Sequence, residues 1–188
     1  CWNDTTAYDY GAIVDALVRY LRIRTLPVGM KRFRTEAEML AVPRIRRPDR
    51  NEKLATDQVV AQARWLGWTL GITMENLMGD QCGVVVGLHP RSRDWLSGRE
   101  MHGVWFGTLE DSAAHQAAMT CAPYGDYVAL AVSPLASGRL DNPDICLIYA
   151  TPGQMITLIN GLQYTDYRKY TFTAAGESAC ADSWGRAL

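Results

Sequence analysis

Two hydrophobic periods alternate along this chain, and that alternation most constrains what it can fold into. Over residues 10–23 apolar side chains recur at helical spacing, with Ile13, Val14, Leu17, Val18, Tyr20 and Leu21 set against Asp15, Arg19 and Arg22. This is the pattern of a helix with one face buried. Leu26-Pro27-Val28-Gly29-Met30-Lys31-Arg32-Phe33 reads as an extended segment, and Thr35 with Glu38 forms a capping box that opens a short helix. Residues 56–66 give a second clear helix stopped by Gly67, and 68–73 a strand. Residues 109–121 read as a helix behind Thr108, 126–132 and 144–150 as strands, and 152–162 as a helix opened by Pro152. A strand over 167–174 and a closing helix over 178–188 complete the series, with loops at 42–53 and 134–143 and no clear pattern over 89–107. Interleaved helices and strands imply an α/β fold, a layered mixed sheet with helices, in a single domain over 1–188.

Charge and cysteine usage narrow the function classes. A net charge of −1 argues against a nucleic-acid binder, which needs surplus Lys and Arg to neutralise phosphates. The one basic stretch, Arg44-Ile45-Arg46-Arg47-Pro48-Asp49-Arg50, reads as a solvated loop or as a patch for an anion or partner. No apolar run approaches the ~20 residues of a membrane span, and no signal peptide is visible. The chain opens at Cys1 rather than methionine, which implies a missing upstream segment; a lipidated cysteine is the minor alternative. The five cysteines (Cys1, Cys82, Cys121, Cys146, Cys180) are irregularly spaced and form no C-x-x-C pair, so no zinc ribbon or thioredoxin motif is signalled. A domain of this size needs no disulfides, and a reduced, cytoplasmic location is expected.

Two stretches resemble each other. Residues 55–82 and 150–180 each open with Ala-Thr, reach a Gln in the first helical turn (Gln58, Gln154), continue as an apolar-periodic helix, and pass a Glu (Glu75, Glu177) before a cysteine. The reading is of pseudo-repeated βαβ-type halves, 26–90 and 143–188, although any two helix–strand pairs share some of these features. Packed about an approximate two-fold axis, the halves would bring Cys82 and Cys180 face to face.

Pro27-Val28-Gly29-Met30-Lys31, the Gln58 helix, Cys82 before Gly83 to Leu88, Pro134-Leu135, Asn142-Pro143-Asp144, Pro152-x-Gln154-Met155 and Cys180 together carry a family likeness. From about residue 10 to its end the chain resembles an uncharacterised prokaryotic family known as domain of unknown function 169. The resemblance implies placed cysteines and, through them, a thiolate-bound cofactor. The chain departs from that pattern at Asp57, where a cysteine is expected, and at Leu188, where relatives continue into a further cysteine-bearing tail.

Three readings of function are open. In the first, Cys82 and Cys180, with His89 as a further ligand, hold a metal or iron–sulfur cluster for redox chemistry, alone or as an accessory subunit; thiolates are soft, anionic ligands. Two protein thiolates are too few for a four-cysteine cluster, so a partner subunit or a dimer would supply the rest. In the second, the protein is a non-catalytic ligand-binding or assembly subunit with structural cysteines. There Lys31 and the Arg44–Arg50 loop would meet an anion or partner, with Gln58 and Gln154 as further contacts. In the third, Cys82 is a nucleophile activated by His89. All three leave room for a protein partner or a homo-oligomer. Cys146, inside an apolar strand, reads as core, and Cys121 as structural. His102 and His115 have no informative neighbours, and Trp65, Trp68, Trp95 and Trp105 could line a planar-ligand pocket but read more simply as core. Neither a phosphate-binding glycine loop nor a G-x-S-x-G elbow occurs.

Overall fold

A computed structural model describes residues 8–78, 81–170, 184–185 and 187–188. Among these residues five strands, β1 (Val28–Phe33), β2 (Ile45–Arg46), β3 (Thr69–Thr73), β4 (Ala129–Pro134) and β5 (Ile145–Leu147), form one sheet in the order β2-β3-β4-β1-β5. β2 pairs with β3 in parallel, and the other pairs are antiparallel, with Gly29 opposite Ser133 and Gly71 opposite Ala131. Seven helices among the described residues accompany the sheet: α1 (Tyr10–Leu21), α2 (Glu36–Leu40), α3 (Thr56–Leu66), α4 (Gln81–Val85), α5 (Arg93–Leu96), α6 (Leu109–Ala118) and α7 (Pro152–Asp166). The chain is therefore an α/β protein with a mixed sheet.

Alternation along the strands sends side chains to opposite faces, and both faces are covered. Val28, Met30, Leu70, Ile72, Leu130 and Val132 meet Val59, Val60 and Ala63 of α3, together with Val85, Leu88 and Trp95. Phe33, Ala129 and Ala131 turn the other way, onto Met39 of α2 and Leu140. Gly71 keeps that second layer close: a Cβ there would lie 2.5 Å from Ile45 Cδ1. β4 and β3 are buried along their whole length, as central strands covered on both sides should be.

Local chemistry sets the helix ends. Asp9 accepts from Ala12 N at the start of α1, and Arg22 closes that helix in the left-handed region at φ 54°. Thr35 and Glu38 make the expected capping box of α2, and Gly67 stops α3 at φ 69°. Thr108 caps α6 through Asp111 N, and Thr151 and Gln154 form a reciprocal box at α7. α7 differs from its neighbours in one respect: none of its side chains is buried. An apolar groove of about 570 Å³ runs between it and α1.

Several expectations are corrected. The stretch read as a loop over 42–53 contains β2, two residues held by pairing to β3 rather than by any pattern of their own. The strand read over 126–132 lies at Ala129–Pro134, where Leu130 and Val132 share a core face. Cys146 is exposed, not core, because β5 is an edge strand whose second residue faces outward. Of the strand read over 167–174, residues 168–170 are irregular and Tyr167 closes α7 at φ 52°; the remainder, with Cys180 and most of 178–188, lies outside the described residues. The pseudo-repeat is not confirmed: α3 buries Thr56, Val59, Val60 and Ala63, whereas α7 buries nothing.

Candidate functional site

A cleft of about 520 Å³ opens where the C-terminal end of α1, the last turn of α3 and the start of α7 converge. Arg22 and Arg24 enter it from the segment joining α1 to β1, Arg64 from α3, Tyr149, Ala150 and Thr151 from the β5–α7 connection, and Gln154 from the first turn of α7. Among the described residues its lining holds three guanidinium groups and no carboxylate.

Arg64 is fixed in place. Its guanidinium carbon sits 3.4 Å from the centroid of the Tyr149 ring, and Nη2 donates to Thr25 Oγ1 at 3.3 Å. Stacking of this kind orients a guanidinium without neutralising it. Arg64 Nε is buried and has no acceptor among the described residues. No carboxylate among them pairs with Arg22, Arg24 or Arg64; the ion pairs found there use Arg32, Arg47 and Arg50.

Gln154 ties the walls together. Its Nε2 donates to Leu21 O at 2.6 Å and Arg22 O at 3.1 Å, covering carbonyls left bare at the end of α1, while its Oε1 accepts from Thr151 N at 2.8 Å. The cleft is thus shielded from the negative end of α1 and faced by the positive end of α7. Gln154 positions the site rather than offering it a spare donor. Gln58 does a similar cap duty at α3, accepting from Ala55 N at 2.9 Å, away from the cleft. The register differs, since Thr151 is the cap residue in α7 and Ala55 in α3; what Ala55-Thr56-Asp57-Gln58 and Ala150-Thr151-Pro152-Gly153-Gln154 share is a Gln three residues after the cap, a common helix-start chemistry.

The other candidates lie apart. Lys31 donates to Asp141 O and lines a cavity of about 200 Å³ with Glu38 and Arg139. Within the basic stretch, Arg46 stacks 4.2 Å over Trp68, and Arg47 and Arg50 pair with Glu36 and Glu75. Cys82 is buried in the first turn of α4. His89 lines a cavity of about 240 Å³ with Arg91, Cys121 and Tyr124, and its Nε2 is buried without a hydrogen-bond partner among the described residues. Cys180, the proposed counterpart of Cys82, lies outside the described residues. Among the described residues no group of three or more His, Cys, Asp or Glu side chains could hold a metal ion. Trp95 is buried while Trp65 and Trp105 are exposed, so the tryptophans do not share one pocket.

Arg22, Arg24 and Arg64 were not legible as a site. Arg22 reads as the polar side of a helix, and Arg64 joins it only through the folded topology. Partial burial pushes the thiol of Cys146 upward from its ordinary value, away from the reactive thiolate form.

Fold and site together define a small α/β domain with an arginine-lined cleft at its helix ends. A sequence model of the DUF169 family, described as uncharacterised ArCR, matches residues 16–188, and the chain belongs to that family. Nothing matches among curated proteins or among solved structures. No helix among the described residues is long and apolar enough to cross a membrane.

Proposed function

We propose that the protein is a non-catalytic binding module that holds a small anion in the arginine cleft. One observation carries this reading: three arginines line a single cleft with no carboxylate among its described lining, in a chain whose net charge is −1. Like charges gathered in one place repel, and a bound anion relieves that repulsion while accepting charge-assisted hydrogen bonds. The volume lies within the range of about 300–1,000 Å³ usual for ligand clefts. A cytoplasmic location and a protein partner or second copy belong to the same proposal; the free thiols of Cys121 and Cys146 suit a reducing compartment.

The test is a panel of sulfate, benzoate and phenyl phosphate followed by thermal denaturation and calorimetry. At least one of these should bind with one-to-one stoichiometry and raise the Tm, since a ligand selective for the folded state stabilises it. The double variant Arg22→Gln, Arg64→Gln should lose that binding. Binding by none of the three, or binding that survives the double variant, would overturn the reading.

A second proposal rests on one atom. His89 Nε2 is a ligand-capable nitrogen buried with no partner among the described residues, and this favours a metal or cluster held by Cys82, Cys180 and His89. Protein purified without oxygen should then carry stoichiometric metal that Cys82→Ser removes; metal-free protein from that preparation would end the proposal.

A further inference from the structure

The cleft's donors also bear on the class of anion, a question that depends on the binding function proposed for it. We infer that the ligand is an organic phosphate monoester. Free donors and the separate segments that carry them are the reason. A guanidinium presents five N–H groups in a planar fork. Arg64 spends one Nη2 hydrogen on Thr25 Oγ1 and keeps its ring stack on Tyr149, which leaves its remaining Nη donors for the cleft. Thr25 Oγ1, because it accepts from Arg64, has its own hydrogen to give to an acceptor in the same space. Arg24 makes no hydrogen bond or ion pair to any described residue, and Arg22 spends only backbone groups, its N–H on Val18 O and its carbonyl on Gln154.

A carboxylate accepts through two coplanar oxygens, carries a single negative charge, and meets one guanidinium fork in its own plane. That one charge would offset only one of the three arginines that line the cleft. A phosphate monoester carries three terminal oxygens set tetrahedrally and close to two negative charges at neutral pH. Arg22 and Arg24 approach from one segment and Arg64 from another, so three oxygens pointing in different directions suit them better than two in a plane. A phosphoryl group fills only part of about 520 Å³. Tyr149, stacked on Arg64, and Ala150 supply apolar wall beside the charged groups, against which an organic substituent would lie.

The experiment compares phenyl phosphate, benzoate and inorganic phosphate by calorimetry on the full chain at pH 7.5 and fixed ionic strength. Phenyl phosphate should bind about tenfold or more tightly than benzoate, which has the same ring and a planar head, and more tightly than inorganic phosphate. Arg24→Gln and Arg64→Gln should each weaken phenyl phosphate by about tenfold or more. Circular dichroism checks folding; should Arg64→Gln unfold the chain, Arg24→Gln carries the test, since Arg24 has no bond to a described residue to lose. Benzoate binding as tightly as phenyl phosphate, with both weakened by the arginine variants, overturns the phosphate assignment and leaves the cleft as an anion site. Inorganic phosphate binding as tightly as the phenyl ester overturns the organic part. Binding by none of the three, or phenyl phosphate binding indifferent to both variants, overturns the cleft reading itself.

Discussion

Replacing Gly98 by alanine would put a Cβ 2.4 Å from Ala113 N, at a backbone φ of 75° that side chains other than glycine rarely adopt. Gly98 O also accepts the hydroxyl of Ser112, which is buried, so the α5–α6 contact cannot simply open to make room. Gly98→Ala should therefore lower stability by about 3 kcal/mol or more, read as a fall in the denaturant midpoint. A change within experimental error would mean that the two helices do not meet as described. Cys146 offers a pH test. Burial raises its thiol pKa, so less thiolate is present at neutral pH than for an unperturbed thiol. Alkylation of Cys146 should be slow near pH 7 despite the residue's exposure and should climb steeply in the alkaline range, as followed by mass spectrometry. Single residues were the least legible level of the sequence. Gln58 and Gln154 stand out in it for their repeated spacing, yet they cap helices. Arg64 looks ordinary in it and becomes notable only once folding sets it beside Thr25 and Tyr149.

At the level of elements, Gln154 joins the start of α7 to the end of α1 through two carbonyls and caps its own helix as well. Gln154→Ala should lower stability by about 1–2 kcal/mol, the usual worth of a lost cap and its hydrogen bonds. It should also weaken anion binding by letting Arg22 move. Gln58→Ala loses the bond from Ala55 N and should leave anion binding unchanged, which separates a cap from a support of the cleft. Elements with a local cause were readable in advance: the Thr35–Glu38 box, the Thr108 cap, Pro152 at a helix start and Gly67 at a helix end all appear where their chemistry places them. β2 was not readable because its two residues have no period to display. They are a strand through pairing with Thr69 and Leu70, with Arg46 stacked on Trp68 and the next residue, Arg47, paired with Glu36. The shift of β4 has the same origin, since its register is set by pairing to Val28 and Phe33 rather than by its own alternation.

For the whole molecule, the sheet with β4 and β1 inside it is the rigid part, sealed by apolar layers on both faces. α3 is pinned to that sheet by Val59, Val60 and Ala63, whereas α7 lies on the outside with every side chain at least partly exposed. Amide exchange should report this difference directly. Protons of β1 and β4 should exchange only with global unfolding, and those of α7 should exchange through cheaper local openings. Equal protection of α7 and β4 would show that something outside the described residues covers the helix. The α/β class was legible because it follows from interleaved periods, but the outward position of α7 was not, since its apolar residues read like those of any packed helix. That position has a thermodynamic consequence. α7 lends Thr151 and Gln154 to the cleft while the core does little to hold it, so binding of the proposed anion and seating of the helix would be reciprocally linked, each strengthened by the other to the same amount.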